Sequence, residues 1–224
     1  MSNFFLGLAL LFAILDWMAV SKKWKRLEYI AKPGVMAALL AFFWQMGGIR
    51  GHWAWFAAGI IFSMAGDIFL MLPREQFIAG LVSFLLAHLA YVMGFTDVLP
   101  KINLSSLIVI LLVGFTAGQV YRSIASGLRH RGENQLQIPV LIYSAVISLM
   151  VLSALLTMMR GEWVPLAAYL ASGGALLFFI SDTFLAWNKF VTPLPYGNLR
   201  VIITYHLGQA LIVLGVVVRF LFPG

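Results

Sequence analysis

Long apolar runs alternate with short polar connectors along the whole chain. Breaks at charged residues, prolines and glycines divide it into eight runs, at residues 3–20, 29–47, 53–72, 77–97, 103–124, 138–158, 164–187 and 199–221. A helix that crosses a bilayer needs about 20 mainly apolar residues, which each run supplies. The pattern predicts an all-α integral membrane protein with eight transmembrane helices in one bundle, and residues 1–224 as a single domain. The longest predicted connector, YRSIASGLRHRGENQLQ, follows the fifth run.

Composition supports a membrane protein and excludes several other classes. Hydrophobic residues make up 62% of the 224 residues and charged residues 10%, which is far from the balance of a soluble domain. The first run has no basic segment before it and no small-residue cleavage motif, so it is expected to stay in the membrane as a span. The absence of cysteine excludes disulfides and thiolate chemistry. The net charge of +7 lies in connectors, so no nucleic-acid partner is expected.

The basic residues predict an orientation. Basic residues near span ends are retained in the cytoplasm. The connectors after the first, third, fifth and seventh runs carry eleven of the fifteen: Lys22, Lys23, Lys25, Arg26, Lys32, Arg74, Arg122, Arg129, Arg131, Lys189 and Arg200. The other side carries Arg50, Lys101, Arg160 and Arg219. We therefore expect both termini outside a bacterial inner (plasma) membrane, and we call the side with eleven basic residues the basic end.

The two halves of the chain share a weak pattern. The third run ends GDIFLM around Asp67, and the seventh ends SDTFLA around Asp182. Other matching positions are Pro33 with Pro139, both predicted in a first helical turn, and His88 and Tyr91 with His206 and Gln209. Four spans per copy preserve orientation, so the pattern suggests two parallel four-helix repeats.

Polar residues inside the predicted spans fall mainly in the half nearer the basic end. They are Asp16, Lys32, Asp67, Gln119, Tyr121, Tyr143, Asp182, Tyr205, His206 and Gln209, with His88 and Tyr91 near mid-depth. A charge at the bilayer centre costs about 2.5–3.5 kcal/mol on insertion scales, so such groups usually face the bundle interior and mark a site. Asp67 and Asp182 are the main candidates, although a lone aspartate or histidine also serves as a structural bond between helices. Asp16 and Glu28 lie near span ends and are expected to reach interfacial water.

Several motifs together resemble the YhhN-like family of membrane proteins, whose characterised members are lysoplasmalogenases. They are Lys32-Pro33, Gly66-Asp67 with Leu70-Met71, and the segments AGLVSFLLAHLAYVMGF (79–95), PVLIYSAVISLMVLSA (139–154) and GALLFFISDTFLAWNKF (174–190), with Tyr205 and Gln209. The resemblance covers about residues 30 to 215. It implies an eight-span hydrolase that cleaves the vinyl ether of a lysoplasmalogen to a fatty aldehyde and a glycerophospho-ethanolamine or -choline.

That reaction needs a proton donor, a negative charge and a water, so we expect Asp67 and Asp182 to act as an acid and base pair, as carboxyl pairs do in glycoside hydrolysis. The residues expected to orient them are His88, Tyr91, Tyr143, Ser181, Tyr205, His206 and Gln209. Lys32, Asn188 and Arg200 are expected to hold the phosphate of the head group. The partners expected are thus the lysophospholipid substrate and membrane lipids.

Two alternatives stay open at the level of sequence. No cofactor or metal is expected, but two aspartates and two histidines are ligands that a metal ion accepts. A parallel repeat with intramembrane carboxylates also fits a proton-coupled transporter of small molecules or lipids. A lipid-binding protein without enzymatic activity is a third interpretation.

Overall fold

The computed structural model describes residues 3–72, 76–97 and 102–222, and within these residues eight helices are long and apolar enough to span a membrane. In chain order they are α1 (Phe4–Lys22), α2 (Lys25–Gln45), α3 (Ala54–Met71), α4 (Phe77–Phe95), α5 (Leu104–His130), α6 (Gln137–Leu156), α7 (Pro165–Ala186) and α8 (Gly197–Leu221). Short 3₁₀ turns precede α3 and α6 and follow α6, and a π-helical turn at Trp187–Val191 follows α7. The predicted eight-span, all-α class is confirmed. Arg74 and Lys101, used to predict the orientation, lie outside the described residues.

Helix α5 is longer than predicted. It continues to His130, through most of the segment that we expected to be a connector. Ile124 and Leu128 lie on one face of this extension and are buried with Val140 and Phe190. Charged residues end a membrane span, but they do not end an amphipathic helix, which here buries one face against neighbouring elements.

The expected position of Pro33 was wrong. Helix α2 begins at Lys25, so Pro33 lies inside the helix and not in its first turn, whereas Pro139 is the third residue of α6. Proline is tolerated inside transmembrane helices because neighbouring groups compensate for the lost hydrogen bond.

The helix pairs α3–α4 and α7–α8 have the most extensive contacts among the described helices. In α7–α8, Gly174 faces the backbone of Gly208, and Gly215 faces the backbone of Ala171. A Cβ at Gly174 would lie 2.6 Å from the Gly208 carbonyl oxygen, so glycine is required there for the helices to approach. The α3–α4 pair uses glycine differently, because Gly66 accommodates the ring of Phe84.

Aromatic side chains fill the centre of the bundle. Phe56, Tyr91, Phe95 and Phe178 are fully or almost fully buried in the main core cluster. A smaller apolar cluster lies at the basic end. It consists of Ile124, Leu128, Val140 and Phe190. Residues of both clusters line the cavity described below.

Candidate active site

Asp182 on α7 accepts hydrogen bonds from two other helices. The Tyr143 hydroxyl on α6 donates to Asp182 Oδ2. His88 Nε2 on α4 lies 3.2 Å from the same oxygen and 3.0 Å from the Tyr143 hydroxyl. His88 is fully buried, and the Asp182 side chain is 12% exposed. These contacts occupy Oδ2 and hold the carboxyl group in one orientation.

Asp67 on α3 has a separate set of partners. It is buried and accepts a hydrogen bond of 2.7 Å from the Tyr205 hydroxyl on α8. Lys32 on α2 pairs with Glu28 at 3.1 Å, and its charge also acts on Asp67. A cation beside a buried carboxylate offsets part of the cost of removing that carboxylate from water.

Aromatic rings separate the two aspartate clusters. The ring of Phe178 lies 4.7 Å from that of His88 and 5.2 Å from that of Tyr205, centroid to centroid. Asp182 and Asp67 are nevertheless within electrostatic range of each other. The two carboxyl groups therefore share one region of the bundle, with Phe178 between their hydrogen-bond partners.

A third polar group connects α3, α4 and α8 in the core. Tyr91 donates a hydrogen bond of 2.5 Å to Gln209 Oε1, and Gln209 Nε2 donates to Ser63 at 2.8 Å. All three side chains are buried. Because each of these hydrogen bonds satisfies a buried polar group, the three side chains together fix the relative position of the three helices.

An apolar cavity of about 60 Å³ borders Asp182. Among the described residues that line it, Asp182 is the one charged residue, and Tyr143 lies beside it. The other lining residues are Leu70, Phe77, Leu81, Phe84, Ala117, Val120, Ile124, Val140, Ser144, Ile147, Phe179, Thr183, Leu185, Ala186 and Phe190. Asp67 does not line this cavity, but Phe84 does, and its ring contacts the Tyr205 ring edge-on at 5.8 Å. Asp182 thus presents a carboxyl group to an apolar space, and Phe84 separates that space from Asp67.

The structure brings seven of the predicted residues into these clusters and places the others elsewhere. Asp67, Asp182, His88, Tyr91, Tyr143, Tyr205 and Gln209 form the clusters described above, and Lys32 adjoins Asp67. Ser181 donates to the Val201 carbonyl, which joins α7 to α8.

Two residues predicted to hold a head group lie at the basic end, and neither belongs to the hydrogen-bonded clusters described above. Asn188 binds the backbone N–H of Leu194 and the side chain of Asn198 within the α7–α8 connection. Arg200 is exposed near the start of α8. Their binding to a phosphate stays a prediction.

Three expectations about polar residues in the spans were wrong. Gln119 is exposed and does not face the bundle interior. The face of α5 that borders the cavity is apolar and includes Ala117 and Val120. Asp16 is fully buried, whereas we expected it to reach interfacial water. It lies beside His206, with Oδ2 and Nε2 3.9 Å apart. Glu28 is also buried, but it is paired with Lys25 and Lys32.

The two aspartates and two histidines do not form one ligand set. His88 contacts Asp182, while His206 lies beside Asp16. Over residues 3–72, 76–97 and 102–222, no group of three or more His, Asp or Glu side chains is arranged to hold a metal ion. The equivalent positions of the suggested repeat thus have different partners in the two halves.

Sequence reasoning missed Phe178, Phe84 and the cavity. Phe178 stands in an apolar stretch, ALLFFIS, in which hydropathy alone does not distinguish one phenylalanine from the next. The spacing of Phe178 and Asp182, four residues apart on one helical face, was the available signal.

Comparison with known proteins gives a consistent assignment. The model of the YhhN family matches residues 27–216. The chain is 32% identical to human "Lysoplasmalogenase TMEM86B" over 179 residues, which cover 79% of this chain and 69% of the relative. It is 29% identical to the mouse protein of the same name over 218 residues, which cover 96% and 84% of the two chains.

A bacterial relative is matched over a smaller share of its own length. The chain is 30% identical to "Lysoplasmalogenase" of Mycobacterium tuberculosis over 164 residues, which cover 70% of this chain and 58% of the relative. No solved structure matches the chain. With the family model extending over most of the eight-helix bundle, the chain belongs to the YhhN family.

Proposed function

We propose that this protein is a membrane hydrolase that cleaves the vinyl ether bond of lysoplasmalogens, releasing a fatty aldehyde and glycerophospho-ethanolamine or -choline. The observation that carries the proposal is the apolar cavity with a single charged lining residue, Asp182, among those described. Such a space accepts a hydrocarbon chain and offers one carboxyl group to the bond at its end. The names of the relatives agree with this substrate class.

The depth of the two aspartates suits a bond near the head group. Asp67 lies four residues before Met71, the last residue of α3, which at a rise of 1.5 Å per residue is about 6 Å from the end of that helix. Asp182 lies four residues before Ala186, where α7 continues into the π-helical turn Trp187–Val191, so it is further from the end of its span. The vinyl ether of a lysolipid joins the chain to the glycerol, so it reaches this depth when the head group stays at the interface. We place this interface at the inner leaflet of a bacterial cytoplasmic membrane.

Cleavage begins with a proton transfer to carbon. A carboxylic acid protonates the vinyl carbon that is not bonded to oxygen, which leaves an oxocarbenium ion on the other carbon. Water adds to that ion and loses one proton, which gives a hemiacetal. The hemiacetal proton then moves to the glycerol oxygen as the carbon–oxygen bond breaks. One water is consumed, and the products are an aldehyde and an alcohol.

Asp182 is the proton donor in this proposal. Both of its contacts are to Oδ2, so Oδ1 is available to carry a proton toward the cavity. After the transfer, the Asp182 carboxylate stands beside the oxocarbenium ion and stabilises it electrostatically. His88 and Tyr143 are positioning residues that hold the carboxyl group in place.

Asp67 is the second carboxyl group, and it accepts the proton that the attacking water releases. The Tyr205 hydroxyl donates a hydrogen bond to it, and the charge of Lys32 acts on it. Because Phe84 lies between the cavity and Tyr205, the proposal requires the Phe84 ring to move during turnover.

The test is aldehyde release by the purified protein in detergent. Lysoplasmenyl-ethanolamine and -choline should be cleaved, while the alkyl ether analogue, which has no double bond to protonate, should not. The Asp182→Asn variant should release no aldehyde above background. A folded, thermally stable wild-type preparation that cleaves neither vinyl ether would contradict the proposal and favour a transporter or a lipid-binding protein.

A further inference from the structure

A second set of buried polar groups lies beside Asp67 and has no part in the mechanism above. Asp16 on α1 is fully buried, and His206 on α8 is 2% exposed. Asp16 Oδ2 lies 3.9 Å from His206 Nε2, which is too long for a direct hydrogen bond. In the described parts of the chain, both Asp16 oxygens, both His206 ring nitrogens and Trp17 Nε1 have no hydrogen-bond partner.

Such a concentration of unsatisfied atoms has an energetic consequence. A buried polar atom without a partner is destabilising, and an isolated buried charge is more so. A donor and an acceptor that face each other across more than 3.5 Å are typically bridged by water. Asp16, His206 and Trp17, whose ring stacks on His206 at 6.5 Å, supply the two to four polar partners that a buried water needs.

Charged groups from two other helices act on this site. Lys32, Glu28 and Lys25 of α2 act on Asp16, and Asp67 of α3 is also within electrostatic range. Lys32 acts on both Asp16 and Asp67, so it couples the two carboxyl groups.

Helix α8 provides a second link between the two sites. Tyr205 and His206 are neighbours on that helix, with ring centroids 5.5 Å apart, and Tyr205 binds Asp67.

We propose that Asp16 and His206 form a hydrated proton-holding site between α1 and α8, which takes up the proton that Asp67 gains in each turnover. Asp67 then returns to its ionised form, the proton leaves through the Asp16–His206 pair toward the basic end, and Asp182 regains one from solvent. Protons balance over the cycle. The role of the site rests on the proposed function, but its existence and its titration do not.

The first test needs no substrate. Infrared difference spectra of purified protein, titrated through the neutral range, should contain a carboxyl C=O band that shifts in heavy water. We expect this band in the wild type and in Glu162→Gln, a control that removes a half-exposed carboxylate at the opposite end of the bundle. It should be lost in Asp16→Asn and should titrate at a different pH in His206→Gln. An unchanged band in Asp16→Asn would overturn the proposal. If Asp16→Asn does not fold, a band that titrates at the wild-type pH in His206→Gln would overturn it instead.

The second test is kinetic and separates this site from the catalytic carboxyls. Asp16→Asn should lower kcat by about tenfold without changing KM, because proton return and not substrate binding is impaired. The pH at which kcat declines should move by on the order of one unit, as expected for the loss of one nearby charge. If wild type is inactive but the infrared band behaves as described, the proposed function fails and the proton site stands. If wild type is active and Asp16→Asn has the same kcat and pH profile, the proton-return role is wrong.

Discussion

The Tyr205 hydroxyl lies 2.7 Å from the Asp67 carboxylate, although the two residues are 138 positions apart in the chain. This bond joins the first half of the chain to the second at the level of the proposed chemistry. His88 makes the reciprocal connection, because it lies in the first half and contacts Asp182 in the second. Neither half contains a complete site, so the two halves must pack correctly before either carboxyl group is held in place.

Replacing Tyr205 with phenylalanine removes the hydrogen bond to Asp67 and keeps the ring packing on Phe178. A hydrogen bond to a charged group contributes about 1.5–3 kcal/mol, so we expect turnover to fall by about 10- to 100-fold. Steady-state kinetics on purified protein measure the effect.

Tyr121→Phe is the matched control. Its hydroxyl makes a long bond of 3.4 Å to the Gln137 carbonyl, outside the site. It should leave kcat within about twofold of wild type. Equal losses in Tyr205→Phe and Tyr121→Phe would mean that the Tyr205 effect is not specific to Asp67.

The two aspartates give a stronger prediction. Asp67→Asn and Asp182→Asn should each lower turnover by at least about 10²-fold, which is the range for losing a general acid or base. Thermal unfolding should stay near that of wild type, because asparagine keeps the size of the side chain and an oxygen that accepts the tyrosine hydrogen bond, and Lys32 keeps its pair with Glu28.

Glu162→Gln serves as the carboxylate control. Glu162 is 44% exposed and lies at the opposite end of the bundle from the basic end, 3.7 Å from Arg160. It should retain wild-type activity. If an aspartate variant is inactive and also shows no cooperative thermal unfolding, that aspartate is needed for folding. Its assignment as a catalytic residue is then incorrect.

Filling the cavity should weaken binding of the lipid chain. Ala117 lines the cavity from α5, and Ala117→Phe places a ring in a space of about 60 Å³. We expect KM for long-chain lysoplasmalogens to rise by about tenfold or more, with a smaller change for short chains. Thr116→Phe adds a similar ring on the adjacent, exposed side of α5 and should leave KM unchanged. A similar KM in both variants would exclude this cavity as the chain-binding site.

The number and approximate position of the helices were predictable from sequence, and their ends were less so. A spanning helix needs about 20 apolar residues, because they are transferred from water to lipid. Such long apolar runs are easy to recognise in the sequence, so the eight spans are evident. The extension of α5 to His130 was missed because it lies beyond the apolar run and depends on packing of Ile124 and Leu128. The start of α2 was missed because its first turn is charged.

The candidate residues were predictable, but their partners were not. Hydropathy measures removal from water and does not distinguish a lipid-facing position from a protein-facing one. Gln119 and Asp16 are therefore similar in sequence, yet Gln119 is exposed and Asp16 is buried. The pairing of Asp67 with Tyr205, and of His206 with Asp16 instead of Asp67, depends on how α8 packs against α1 and α3.

The orientation in the membrane is a separate prediction. A reporter fused to the C-terminus should be active on the outer side of the membrane, and one inserted at 131–136 should be active in the cytoplasm. The basis is the excess of basic residues on one side, eleven against four. Two reporters should be fused at each position, one that is active only in the cytoplasm and one that is active only outside. Either location then gives a positive signal. A C-terminal reporter active in the cytoplasm would place the aspartates near the outer leaflet.

The mass of the aldehyde formed in heavy water shows whether Asp182 transfers a proton to the vinyl carbon. Protonation of the vinyl carbon from an exchangeable carboxyl group places one deuterium on the carbon next to the aldehyde. Unlabelled aldehyde incubated with the Asp182→Asn variant in the same buffer corrects for exchange after release. We expect an aldehyde that carries one deuterium and a rate at least about twofold slower in heavy water, since the proton moves in the transition state. An aldehyde without deuterium, released at the same rate in both solvents, would contradict cleavage by proton transfer from Asp182.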